Sequence, residues 1–256
     1  MKKPSESIHL IKVVAISAIF LTVQSLRADK ITLNSNAVGS EFDSFEKELS
    51  LQGKILAAAD DLELVGRFST TAANLKTIEC NNLNIIEAEN SLKGNGAFYN
   101  GNVALKVNGI LTILGSTLTK NRGTLQFNDL VLGSLSRLDI FVNELATWGN
   151  SINCAANSRL RFTLFNDRAV TNLQSPDYSG MRLKGTASFV DGAYVVLSFL
   201  QVSTPSLITP GKYLLVKSSH IVGMPKLIVT TKNVIVENGR FSLEVGDGNL
   251  WLVVAP

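Results

Sequence analysis

Asp60 and Asp61 stand side by side at the end of an alanine-rich stretch, and paired carboxylates are what glycoside hydrolysis uses as acid and base. Arg182-Leu183-Lys184 sets two cations either side of an apolar residue, a pattern suited to an acidic sugar. His220 follows Ser218 and Ser219, residue types that serve as base and nucleophile. Each of these has a plainer reading, and the plainer reading is preferred. The carboxylates sit where a turn is expected and would cap it. Neighbouring positions in a chain are no evidence for the geometry of a triad. No catalytic residue is assigned. His220 is the only histidine beyond residue 28, and Cys80 and Cys154 are 74 positions apart, so a zinc site lacks ligands. Asp247-Gly248-Asn249 is a single turn and not a calcium loop, and Gly94-Asn95-Gly96 lacks the third glycine and the helix of a dinucleotide site. Neither a metal nor a cofactor is expected.

Aromatic side chains offer a second kind of chemistry, stacking on sugar rings. Trp148, Trp251, Tyr99, Tyr178, Tyr194 and Tyr213 are the candidates. Trp148 lies in Thr147-Trp148-Gly149-Asn150, which reads as a turn, so it is the best placed for the surface and is nominated as a ligand-binding residue. Trp251 alternates with Leu250 and Leu252 and either faces outward or packs under a loop.

The elements that would carry these residues are set by a repeat. Short apolar pairs recur over residues 62–164, at Leu62/Leu64, Leu83/Ile85, Leu105/Val107, Leu125/Phe127, Leu138/Ile140 and Leu160/Phe162. The intervals 62 to 83, 83 to 105, 105 to 125 and 138 to 160 all fall between 20 and 22 positions. That spacing suits one coil of a parallel β-solenoid. Glycine and asparagine crowd the intervals, as tight corners require, and asparagine can add side-chain ladders between coils. No proline occurs between Pro4 and Pro176. An antiparallel sandwich would show similar alternation and is the competing architecture. If the solenoid holds, the two cysteines are three and a half coils, or ~17 Å, apart along its axis. A disulfide needs Cα atoms within about 7 Å, so two separate buried thiols are expected.

Residues 1–28 have the layout of an export signal, with Lys2, Lys3 and Lys12 before the apolar run 13–23 and Ala28 at the cleavage point. An uncleaved anchor is the competing reading. Beyond residue 28 the chain carries 20 basic and 20 acidic residues, after four basic and one acidic are removed from totals of 24 and 21. No basic cluster remains, which argues against nucleic-acid binding. Membrane contact is expected only through the export signal. Residues 30–33 read as a strand, and residues 41–49 as a short amphipathic helix capped at Ser40, with Phe42, Phe45 and Leu49 on one face. Past a polar excursion at 166–180, strands are expected at 187–190, 194–199, 213–217, 227–231, 233–236, 240–245 and 249–254. Asn238-Gly239 predicts a hairpin over 234–243. The C-terminal third is expected to be more antiparallel, with an independent small β-domain as the alternative.

Thr209-Pro210-Gly211-Lys212-Tyr213-Leu214-Leu215-Val216, followed by Ile221-Val222-Gly223, resembles the end of bacterial autotransporter-like passenger domains. Gly248-Asn249-Leu250-Trp251-Leu252-Val253-Val254 looks like their final strand. The resemblance implies an exported, repetitive surface protein of a bacterium, often adhesive or scaffolding. No membrane barrel stands between this stretch and Pro256, so any outer-membrane passage is expected to come from other proteins, with the periplasm as the other destination. The polygalacturonases, which use Arg-x-Lys on an acidic sugar, are not matched. No Asn-x-Asp precedes the pair, Gly-His-Gly is missing, and His220 follows Arg182 and Lys184 where it should precede them.

The expected molecule is all-β, a right-handed parallel β-solenoid. Residues 1–28 are the signal peptide, 29–60 an N-terminal strand and capping helix, 61–180 the repeats and 181–256 the closing segment. It is expected to be non-enzymatic, secreted or at the cell surface, and to bind polysaccharide or another surface protein. A carbohydrate-active β-helix enzyme is the alternative.

Overall fold

The computed structural model describes residues 29–37, 41–53, 55–70, 77–87, 96–100, 103–120, 123–142, 147–164, 180–199, 210–231, 234–235 and 239–256. Residues 1–28, expected to be an export signal, and Ser40, Gly94, Asn95, Tyr178 and most of the polar stretch 166–180 lie outside them. In chain order the first elements are β1 (Lys30–Asn34), β2 (Asp43–Ser44), α1 (Phe45–Leu51), β3 (Asp61–Val65), β4 (Arg67–Ser69), β5 (Thr77–Cys80), β6 (Leu83–Ile86), β7 (Gly96–Asn100) and β8 (Ala104–Leu114). Then come β9 (Ser116–Lys120), β10 (Leu125–Leu132), β11 (Arg137–Val142), β12 (Thr147–Gly149), β13 (Ser151–Cys154), β14 (Arg159–Leu164), β15 (Met181–Leu183) and β16 (Thr186–Phe189). The last are β17 (Tyr194–Phe199), β18 (Gly211–Lys217), β19 (His220–Val222), β20 (Lys226–Thr231), β21 (Val234–Ile235), β22 (Phe241–Gly246) and β23 (Asn249–Val254).

The fold is all-β. The strands form a 14-stranded sheet and a 9-stranded sheet, and the chain alternates between them from β1 to β20. Pairing is parallel nearly throughout, and this explains the apolar alternation. Side chains at every second position of a strand point the same way, so in-register strands line up apolar columns. In the larger sheet Leu62, Leu83, Leu111, Leu130, Ile152, Ala187 and Ile221 are successive partners. In the smaller sheet Phe68, Phe98, Leu118, Leu138, Leu160, Val195 and Leu227 are successive partners. Both columns belong to one hydrophobic core, with Leu227 at its margin.

Three of the four expected intervals are register pairs: Leu62 with Leu83, Leu105 with Leu125, and Leu138 with Leu160. The fourth is not. Leu83 pairs with Leu111, and Leu105 pairs with Ile78. The 11-residue β8 lies along both β5 and β6, so the true interval is one short strand longer. A register shift where Val107–Ile110 meets Phe127–Asp129 puts an extra residue in β8 beside Gly109. A Cβ there would lie 2.4 Å from Asn82 Oδ1, so glycine admits the asparagine corner.

Other expectations are corrected. The helix begins at Phe45, not at 41. Ser44 is its cap, accepting the Lys47 amide at 3.3 Å, with Glu46 and Glu48 in the first turn. Phe45 is buried, whereas Phe42 lies outside the helix with Arg67 4.4 Å above its ring. The hairpin expected over 234–243 is not among the pairings of the described residues, and 236–238 lie outside them. Val234 and Ile235 turn back on β20 in the smaller sheet, while Phe241–Gly246 pairs with β23 in the larger. Val234 and Ile235 find an edge beside β20, which outweighs the local turn signal of Asn238-Gly239. Among the described residues antiparallel pairing is confined to β18–β23, β20–β21 and β22–β23, and parallel pairing runs on through β20.

Candidate functional site

Trp148 lies in a strand, β12, and not in the turn expected of Thr147–Asn150. Thr147 and Gly149 on either side are buried, so Trp148 faces outward, 37% exposed. The local cause is Gly149: a Cβ there would lie 2.1 Å from the Phe127 ring, so only glycine lets β12 settle on β10 at this level. Register then fixes Trp148's neighbours. Glu79 stands opposite Lys106, Lys106 opposite Gln126, Gln126 opposite Trp148, Trp148 opposite Arg182, and Arg182 opposite Lys217. These side chains form one outward row across six strands of the larger sheet, each about 4.8 Å from the next.

Charge is uneven along the row. Lys106 Nζ lies 2.6 Å from Glu79 Oε1, which also accepts from Asn108 Nδ2 at 3.1 Å. The hydrogen bond from Lys106, seconded by that from Asn108, holds the Glu79 carboxyl below its usual range. On the other side of Trp148, Arg182, Lys184 and Lys217 are exposed and have no ion-pair partner among the described residues. An aromatic ring therefore sits between an amide and free cations.

The carboxylate pair is placed elsewhere and is committed to structure. Asp60, 6% exposed, accepts the Asp29 amide at 3.0 Å on Oδ1 and the Ala57 amide at 2.8 Å on Oδ2. Asp61 Oδ1 accepts the side-chain amides of Asn81 and Asn82, both at 2.9 Å. Asn82 Oδ1 in turn accepts the Ile110 amide at 2.8 Å. Farther along the same bend Asp129 accepts from Asn150 and Ser151, and Gly185 N donates to Asn150 O at 2.7 Å. These are inter-strand polar ladders at a corner, the role expected of the asparagines.

Leu183 points inward between outward Arg182 and Lys184. His220 is exposed at the start of β19, opposite Thr186. The hydroxyl of Ser218 lies 2.7 Å from Gly248 O and 3.0 Å from His220 O, and that of Ser219 lies 2.8 Å from Gly185 O, so both are engaged by backbone carbonyls and not by the His220 ring. Cys80 and Cys154 are free, buried thiols on separate strands, as expected. Burial pushes both up to about 12. Among the described residues no group of three His, Cys, Asp or Glu side chains could hold a metal ion.

Sequence reasoning placed Trp148 at the surface but missed its row. Arg182 and Lys217 are 34 and 35 positions beyond their partners, well outside the 20–22 interval, so periodicity could not bring them together. The signal that could have done so is the repeated pattern of one outward polar residue between two buried ones, as in Met181-Arg182-Leu183. Comparison of the chain with protein-family models, with curated proteins and with solved structures returns no match.

Proposed function

We propose that this chain is an exported, non-enzymatic protein that binds extended polymers of a cell envelope or extracellular matrix, as an adhesin or scaffold. Its strands would wind as a right-handed parallel β-solenoid, and the outer face of the larger sheet would be the binding surface. The observation that carries this reading is the in-register row Gln126–Trp148–Arg182–Lys217. An aromatic platform flanked by hydrogen-bonding groups at a constant strand spacing suits a chain of repeating sugars better than a compact ligand. The autotransporter-like pattern around Gly211–Lys217 and Asn249–Val254 agrees with export to a surface, and those two segments are paired strands. The commitment of Asp60, Asp61, Ser218 and Ser219 to backbone and amide partners weighs against the enzymatic alternative.

The test is a panel of polysaccharides incubated with purified protein, assayed for protein retained and for new reducing ends. Retention without cleavage is expected, and Trp148→Ala should weaken it roughly tenfold, the scale of one lost aromatic contact. New reducing ends, or undiminished retention of the Trp148→Ala variant, would overturn the proposal.

A further inference from the structure

The smaller sheet carries a second outward row, at the starts of its strands. Thr117, Arg137, Arg159, Tyr194 and Lys226 are successive register partners on β9, β11, β14, β17 and β20. The residues that follow them, from Leu118 to Leu227, face the core, so this row faces out. Arg137 and Arg159 are therefore abreast on adjacent strands, an arrangement that like charges make unfavourable. One step along, Asp139 is 5% exposed and its Oδ2 lies 3.1 Å from Arg137 Nε and 3.9 Å from Arg161 Nη1. Arg161 Nη2 also donates to Ser198 Oγ at 2.6 Å. Asp139 thus draws Arg137 and Arg161 to itself and leaves Arg159 between them. Arg159 and Lys226 are exposed and have no ion-pair partner among the described residues. Asp139 therefore engages two cations, Arg137 and Arg161, while the exposed Arg159 and Lys226 stand beyond them on β14 and β20.

We infer that Arg159, Tyr194 and Lys226 form an anion-binding strip for an acidic polysaccharide, separate from the Trp148 face. Arg159 presents a planar fork to a sulfate or carboxylate group, Lys226 takes a second acidic group two strands away, and Tyr194 lies under the sugar between them. Asp139 is a positioning residue, holding Arg137 and Arg161 clear of the strip. Single-file cations suit one acidic polymer chain. A nucleic acid needs a broader basic field and several rings for its bases, whereas here a carboxylate interrupts the field and one ring is present.

The experiment compares retention of the purified protein on dextran sulfate, polygalacturonate, neutral dextran and a single-stranded oligonucleotide, at low and high salt. Retention is expected on one or both acidic polysaccharides, dextran sulfate reporting sulfate and polygalacturonate reporting carboxylate, and it should fall as salt rises. Arg159→Gln combined with Lys226→Gln should weaken it roughly tenfold or more with the melting temperature unchanged. Arg159→Lys should lose less, and the Arg159/Lys226 double variant should leave intact any retention on a neutral polymer that Trp148→Ala weakens, which keeps this strip distinguishable from the first face. Equal retention on neutral dextran, preference for the oligonucleotide, no retention on either acidic polymer, or full retention by the double variant would each overturn the inference.

Discussion

Lys120 shows how burial acts on a single residue. It is the third inward position of β9, after Ser116 and Leu118, and is 1% exposed. Burial pushes its ammonium group from 10.5 down to about 8. The folded chain therefore holds the neutral amine more readily than the unfolded chain does. The stabilising consequence is complete above pH 10.5, where both states are neutral, and is lost as pH falls through 8, where the folded state must bury a charge. The contribution of Lys120 should thus rise across that window, by about 3 kcal/mol at the usual 1.4 kcal/mol per pH unit. Denaturant unfolding of the native protein and of Lys120→Met at several pH values measures this. The difference between their profiles should carry the slope, and parallel profiles would show that Lys120 titrates normally. Cys80 and Cys154 undergo the same burial with no such cost, because a thiol pushed up to about 12 is already neutral at ordinary pH. The two cysteines pack as small apolar groups, whereas the lysine is an expense of the core.

At the scale of elements, the turns entering β11, β14 and β17 are stacked copies of one another. Ser136 N bonds Gly133 O, Ser158 N bonds Ala155 O, and Ala193 N bonds Val190 O, at 2.9 to 3.2 Å. The third residue of each turn has positive φ: Leu135 at 60°, Asn157 at 62° and Gly192 at 84°. Asparagine and glycine tolerate that conformation, and leucine does not. Leu135 is 77% exposed, so its side chain gains little in return. Leu135→Asn should therefore stabilise the protein by about 1 kcal/mol, read as a higher denaturant midpoint at unchanged slope. A lower midpoint would mean that Leu135 has a contact worth more than its strain. The same turns show what the sequence made legible. Corners were marked by glycines such as Gly66 and Gly115, but Leu135 carries no such mark, and only stacking on its neighbours reveals the conformation. The paired apolar units gave strand positions and three register pairs correctly, because period-two alternation is a local property. The pairing of β8 with both β5 and β6, and the neighbours of Trp148, depend on how much chain lies between strands. No local pattern encodes that, and so Trp148 was visible as a residue while Arg182 and Lys217 were not visible as its partners.

Across the whole molecule, strands from one passage touch the preceding and following passages and little else, since each strand pairs in register only with its neighbours in the two sheets. Stability in such an array is close to a sum of local terms and nearest-neighbour terms, and damage at one end need not reach the other. Near the N-terminal end α1 places Phe45 in the core, its ring centroid 6.1 Å from that of Phe98 on β7. At the C-terminal end β22 and β23 fold back antiparallel on β18, with Phe241 packing 6.2 Å from Phe199. Phe45→Ala removes a large side chain from the first of these ends, a change that costs about 3–5 kcal/mol in a packed core. Hydrogen exchange followed by peptide is the measurement, because it separates local from global opening. Faster exchange is expected in β2, β4 and β7, falling off along the array, with β18, β20 and β23 protected as in the native protein. An equal loss of protection in β23 would mean that the two sheets unfold as one cooperative unit, and that the ends stabilise the whole molecule and not merely their own neighbours.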